Sequence, residues 1–120
     1  MRGEQYLTKA AQYGLVYNKG RSWVSKLVVM KTLPNELEIS RYGFSVSRRV
    51  GASVVRNRVK RLFREILRRV PLQSGWDIIF IARSPAAQAG YAEFNKSVTD
   101  LLLRSGLLMR KHEEVSSGID

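Results

Sequence analysis

The stretch from residue 53 to residue 70 constrains the fold of this chain more than any other, because its helical repeat has two opposite faces. Its apolar residues recur every three or four positions and fall on one side of a helix: Val55, Val59, Leu62, Phe63, Ile66, Leu67 and Val70. Polar and basic residues fall on the other side: Asn57, Lys60, Arg61, Arg64 and Arg68. One side of this helix is therefore expected to pack on a hydrophobic core while the other faces an anionic partner.

The positive charge of the chain is concentrated in and just before this helix. The 120 residues have a formal net charge of +11, and residues 41–69 contain ten basic residues with Glu65 as the one acidic residue. A merely solvated helix usually mixes both signs, because like charges four residues apart destabilise a helix. Most of the basic residues are arginines, whose planar guanidinium can give two parallel hydrogen bonds to phosphate. The pattern favours a nucleic acid as the partner.

Local patterns predict the other elements in the order α, β, β, α, β, α, with the option that one β segment is split in two. The periodicity of Tyr13, Val16 and Tyr17 predicts a first helix over residues 8–19. The β-branched residues that follow predict a β-hairpin, with arms at residues 23–33 and 38–50 around a turn at Pro34. An unbroken apolar run predicts a strand at residues 76–83 that is buried on both faces. A helix is expected at residues 91–105, and it is expected to end at Gly106.

The length of the chain predicts a single domain, residues 1–120, with an ordered core of about residues 7–108 and a disordered tail from about residue 111. The absence of cysteine excludes a disulfide framework and a thiolate metal site. No segment resembles a signal peptide or a transmembrane span. We therefore expect a cytoplasmic protein with no membrane partner.

The histidine and carboxylate residues of the chain show no pattern typical of a hydrolytic active site. Hydrolysis of a phosphodiester usually needs metal-bound water or a general base, and the chain has a single histidine, His112, and carboxylates without clustered spacing. We expect no catalytic residue, and no metal or cofactor bound by the protein alone.

Several polar and aromatic residues allow two interpretations. Tyr13 and Tyr17 lie one helical turn apart, so they could belong to the core or stack on unpaired bases. Ser45 and Ser47 could line the open face of the sheet or be merely solvated. Asn57 could contact a ribose, a base edge or bound water, or could bond the backbone at the start of its helix.

Three stretches taken together resemble the protein subunit of bacterial ribonuclease P. Residues 56–65 (RNRVKRLFRE) are similar to the Arg-Asn-Arg helix of that family. Residues 43–51 (GFSVSRRVG) are similar to its preceding strand and turn, and residues 77–83 (DIIFIAR) to its last strand. A weaker similarity in the first helix extends the resemblance over about residues 7–108.

The resemblance implies an α+β fold: a two-layer sandwich with a mixed sheet and a left-handed βαβ crossover, like the second domain of a ribosomal protein. It also implies an endoribonuclease in which the RNA subunit, with Mg²⁺, removes the 5′ leader of precursor tRNA. The implied partners are this catalytic RNA and precursor tRNA, with no further protein required.

The resemblance assigns the candidate residues to two sites. The residues implied to contact the catalytic RNA are Arg48, Arg49, Arg56, Asn57, Arg58, Lys60, Arg61, Arg64 and Arg68. The residues implied to bind the leader are Tyr13, Tyr17, Lys31, Ser45 and Ser47, with Lys31 at a position where some members of the family have an aromatic residue. A structural RNA-binding protein of the ribosome and a duplex-DNA-binding module are the alternatives.

Overall fold

The computed structural model describes residues 6–108, and the tail expected from about residue 111 lies outside the described residues. The described part contains three α-helices, four β-strands and a short 3₁₀ helix at Ser84–Gln88. The α-helices and strands follow in the order α1 (Ala10–Lys19), β1 (Arg21–Val24), β2 (Val28–Pro34), β3 (Arg41–Ser45), α2 (Ser53–Arg69), β4 (Trp76–Ala82) and α3 (Tyr91–Ser105). The α+β class is confirmed, and Gly106 ends α3 in the left-handed conformation, with a φ of 79°.

The four strands form one mixed sheet in the order β1-β2-β4-β3. Strand β2 is antiparallel to β1 and β4, whereas β3 and β4 are parallel and connected through α2. Ile78, Ile79 and Phe80 of β4 are fully buried, as predicted for a strand apolar on both faces. The handedness of the β3-α2-β4 crossover and the likeness to a ribosomal-protein domain stay predictions.

The predicted hairpin between residues 23–33 and 38–50 is wrong. Strand β4 lies between β2 and β3, and the first predicted arm is itself divided into β1 and β2. A strand that is apolar on both faces is buried best when it has a neighbouring strand on each edge. Strand β4 therefore lies between β2 and β3, although the turn residues between these two strands suggested that they pair directly. The hairpin that does form joins β1 and β2, and its turn is closed by the Ser25 hydroxyl, which accepts a hydrogen bond from the Val28 N–H at 3.2 Å.

Helices α2 and α3 cover one face of the sheet and form the main core with it. The predicted apolar stripe of α2 is confirmed: Val59, Phe63, Ile66 and Leu67 are buried, and Val55, Leu62 and Val70 are partly buried against them. The Phe63 ring stacks on Phe44 of β3 with centroids 5.3 Å apart and meets Phe94 of α3 edge-on at 5.1 Å. This packing fixes the side of α2 that is turned away from the protein.

Helix α1 lies on the opposite face of the sheet, over a smaller core of Leu7, Val16 and Ile79. Alternation along β4 explains this second core, because Ile78 and Phe80 point to the main core while Ile79 points to α1. The same face contains a partly buried polar contact, in which the Arg41 guanidinium donates to both oxygens of Asp77 at 2.9 and 2.7 Å. Within residues 6–108, no helix is both long enough and apolar enough to cross a bilayer.

Candidate nucleic-acid interface

The side of α2 opposite the core presents five polar or basic residues, which we call the α2 basic face: Asn57, Lys60, Arg61, Arg64 and Arg68. All are exposed except Lys60, which is partly buried. The ion pairs among residues 6–108 join Arg41 to Asp77 and Arg104 to Asp100, so no cation of this face has a carboxylate partner in that part of the chain. Guanidinium groups that have no carboxylate partner among these residues are suited to bind phosphate.

Arg48 and Arg49 continue the positive charge into the turn between β3 and α2. Both side chains are exposed, whereas the flanking Val46 and Val50 are buried in the main core. The two valines anchor the turn, and the two arginines therefore extend from a fixed segment next to the first turn of α2.

Arg64 has an additional contact that orients it. Its guanidinium carbon lies 6.0 Å from the centroid of the Phe44 ring, at the outer limit of a cation–π contact. Phe44 is itself stacked on Phe63, so the aromatic core limits the directions that Arg64 can take. The sequence did not predict this contact, because Phe44 and Arg64 lie on different elements.

Arg56 and Arg58 differ from the α2 basic face, since both donate hydrogen bonds within the protein. Arg56 Nε donates to the carbonyl of Gly51 and Nη2 to the Ser53 hydroxyl, each at 3.2 Å. Arg58 Nη1 donates to the carbonyl of Ala87 at 3.4 Å, and Nη2 donates to the carbonyl of Ala89. Both side chains are partly buried. The arginines of α2 therefore differ in their surroundings: Arg56 and Arg58 are hydrogen-bonded within the protein, whereas Arg61 and Arg64 are exposed.

The second candidate site lies between α1 and the sheet. Tyr13 is partly buried against β3, and its hydroxyl is 3.4 Å from the carbonyl of Leu7. Burial raises the pKa of Tyr13, the charge of Tyr17 raises it further, and a hydrogen bond with the backbone of Phe44 opposes the change. Tyr17, one turn later, is 39% exposed. The two aromatic residues therefore differ in their surroundings, because Tyr13 packs on the sheet whereas Tyr17 lies at the surface.

Two of the three polar residues predicted for this site, Lys31 and Ser45, are brought to the same face by the register of the sheet. Lys31 and Gly43 are both paired with Ile79, and Ser45 is paired with Ile81, so the side chains of Lys31 and Ser45 point to the side of α1 and Gly43 leaves that side open. Lys31 Nζ donates to the Ser22 hydroxyl at 2.8 Å, and Ser22 is a neighbour that the sequence did not suggest. Ser45 is partly exposed and Ser47, just past the strand, is exposed.

No set of three or more His, Asp or Glu side chains within residues 6–108 is arranged so that it could hold a metal ion. His112 lies outside the described residues.

Comparison with known proteins decides the family. The family model described as Ribonuclease P matches residues 1–106. The chain belongs to the ribonuclease P protein family. A ribonuclease P protein component from Dehalococcoides mccartyi strain CBDB1 is 45% identical over the full length of both chains. One from Caldanaerobacter subterraneus is 38% identical over 88% of this chain and 92% of its own.

Solved structures agree with this family. The Staphylococcus aureus RNase P protein, at 2.0 Å, superposes with a TM-score of 0.79 at 30% identity and covers 88% of this chain and 98% of its own. The Thermotoga maritima protein gives a TM-score of 0.74 at 28% identity, over 82% of this chain and 96% of its own. This ribonuclease P protein is thus a component of an endoribonuclease of tRNA processing, a ribonucleoprotein in which its partner is an RNA subunit. The match favours ribonuclease P over the ribosomal alternative.

Proposed function

We propose that this ribonuclease P protein binds the catalytic RNA through the α2 basic face and holds the single-stranded 5′ leader of precursor tRNA between α1 and the sheet. The RNA subunit, with Mg²⁺, then cleaves the bond that joins the leader to the tRNA. In this division of work the protein raises the affinity for precursor tRNA and contributes no catalytic side chain. Its site of action is the cytoplasm.

The observation that carries the proposal is the α2 basic face, whose cations have no carboxylate partner within residues 6–108. Its reverse side, which includes the fully buried Val59 and Phe63, is packed into the main core. Such a face binds the backbone of a folded RNA by neutralising phosphates and releasing their counterions. It also lowers the Mg²⁺ concentration needed where RNA backbones lie close together, because guanidinium groups supply part of the positive charge.

The leader site is supported by the mixed chemistry of the face that α1 partly covers. Exposed Tyr17 offers a ring on which an unpaired base can stack, an interaction that contributes about 1–3 kcal/mol per base. Lys31 supplies positive charge, and Ser45 and Ser47 supply hydroxyls that can donate to phosphate or accept from a ribose. A single strand needs this combination of stacking and charge, because its bases are not paired.

Reconstitution with the cognate catalytic RNA at low Mg²⁺ tests the proposal. Adding the protein is expected to stimulate precursor cleavage, and the triple variant Arg61→Ala, Arg64→Ala, Arg68→Ala is expected to lose most of that stimulation. Arg104→Ala on α3 is the matched control, because it removes an exposed arginine that is paired with Asp100. Absence of stimulation by the unmodified protein would contradict the proposal, and stronger competition by duplex DNA than by structured RNA would favour the DNA-binding alternative.

A further inference from the structure

Arg58 lies at the border of the α2 basic face. At about 100° per residue it falls next to Leu62, on the flank of the apolar stripe, whereas Arg61 and Arg64 point away from the core. Leu62 is partly buried in the main core. The position of Arg58 on the helix therefore directs its side chain along the protein surface and toward the segment that precedes α3.

Arg58 reaches the end of the 3₁₀ helix at Ser84–Gln88, where backbone carbonyl groups need a hydrogen-bond donor. Ala87 belongs to the last turn of the 3₁₀ helix and Ala89 immediately follows it, so their carbonyls have no partner further along that helix. Ala86 and Ala89 are buried, so this segment is part of the packed structure. The two terminal nitrogens of Arg58 thus satisfy two backbone acceptors at one place.

These two hydrogen bonds connect α2 to the start of α3. Gly90, the residue after Ala89, is the N-cap of α3, and its carbonyl accepts the Phe94 N–H at 3.1 Å. Phe94 in turn packs edge-on against Phe63 of α2. Arg58 thus holds α2 to the segment just before α3, and the Phe63–Phe94 contact holds α2 to α3 itself in the core.

Given the RNA contact proposed above for α2, we infer that Arg58 is a positioning residue and not a phosphate contact. Its guanidinium holds α2 against the 3₁₀ segment, and this fixes the direction in which its neighbours Asn57 and Arg61 extend. The Arg-Asn-Arg sequence then combines two internally bonded arginines, of which Arg58 reaches the 3₁₀ segment, with an exposed Asn57. The phosphates are bound by the exposed arginines of the α2 basic face.

The salt dependence of RNA binding separates a positioning role from a phosphate contact. The affinity of the full-length protein for the catalytic RNA is measured over a series of monovalent salt concentrations for Arg58→Ala and for Arg61→Ala. Loss of a phosphate contact lowers the slope of log K against log [salt] by about 0.7–0.9. We expect that decrease for Arg61→Ala, and for Arg58→Ala a loss of affinity of roughly tenfold with an unchanged slope.

Amide hydrogen exchange in the RNA-free protein supplies the second measurement. Arg58→Ala is expected to accelerate exchange at residues 84–91, Arg61→Ala is not, and Arg58→Lys is expected to restore part of the lost affinity. If Arg58→Ala is poorly folded, Arg58→Lys still discriminates, because a lysine keeps the charge but not both hydrogen bonds. Faster exchange at residues 84–91 with an unchanged salt slope supports positioning, whereas unaltered affinity and exchange would overturn it.

Each outcome decides the inference. A reduced slope for Arg58→Ala, with exchange at residues 84–91 unchanged, would make Arg58 a phosphate contact and overturn it. Unchanged affinity would overturn it as well, since the contact would then affect only stability. If neither Arg61→Ala nor Arg64→Ala altered affinity or slope, the proposed RNA contact of α2 would fail independently of Arg58.

Discussion

Tyr13 of α1 packs against Gly43 of β3 so closely that a methyl group at Gly43 would lie 2.6 Å from two carbons of the tyrosine ring. The absence of a side chain at Gly43 is therefore what lets α1 approach the sheet at this point. The contact holds Tyr13 in place on the sheet and leaves Tyr17 as the more accessible ring of the pair.

The first prediction concerns this contact. Gly43→Ala is expected to lower the free energy of unfolding by about 1–3 kcal/mol, because the Tyr13 ring and α1 must move to admit the methyl group. Denaturant unfolding measures the change. Gly14→Ala in α1 is the control: a Cβ there meets no atom within 4 Å, and alanine favours helix over glycine by about 0.5–1 kcal/mol. Equal or greater stability of Gly43→Ala would show that Tyr13 moves freely.

The second prediction concerns the α2 basic face. Arg61→Ala and Arg64→Ala are each expected to weaken binding to the catalytic RNA and to lower the slope of log K against log [salt] by about 0.7–0.9, as for a lost phosphate contact. Filter binding at several salt concentrations measures both quantities. Arg104→Ala should leave the slope unchanged. If affinity and slope are unaltered in both variants, this face of α2 does not contact RNA.

The third prediction separates the two RNA sites. Tyr17→Ala is expected to leave binding to the catalytic RNA unchanged but to reduce the preference of the holoenzyme for precursor over mature tRNA, because a stacking platform for the leader is lost. Leu15→Ala, at another exposed apolar position of α1, is the control and should keep the preference. An equal loss of affinity for both tRNAs would assign Tyr17 a structural role.

The fourth prediction concerns alkaline pH. Burial raises the pKa of Tyr42 above 10.0, and the charge of Tyr6 raises it further. The folded state therefore holds the phenolic proton more tightly than the unfolded state, so its contribution to stability is complete below pH 10 and is lost as pH rises above it. The free energy of unfolding of Tyr42→Phe is expected to fall less than that of the unmodified protein between neutral pH and about pH 11. Exposed Tyr91→Phe is the control, and parallel curves for all three proteins would refute the prediction.

The sequence predicted the elements that depend on local periodicity. The two faces of α2 follow from the spacing of Val59, Phe63 and Ile66, because a helix of 17 residues places such residues on one side whatever it packs against. Strand β4 was predicted for a similar reason, since a short run that is apolar at every position is stable only with both faces covered. The resemblance to the ribonuclease P family rested on these two segments together with residues 43–51.

Strand order and side-chain partners depended on contacts between distant parts of the chain. The predicted hairpin failed because the edge of β2 is taken by β4, whose residues lie 42 to 54 positions further along the chain. The residues of the turn at Pro34 carry no information about that distant strand. Arg58 and Arg61 look alike in sequence, yet Arg58 donates to carbonyls 29 and 31 residues away. The sequence by itself determined which faces are apolar and where the charge lies, because both are properties of neighbouring residues. Only the tertiary structure decided which arginines are bound internally, since that depends on the backbone groups that folding brings within reach.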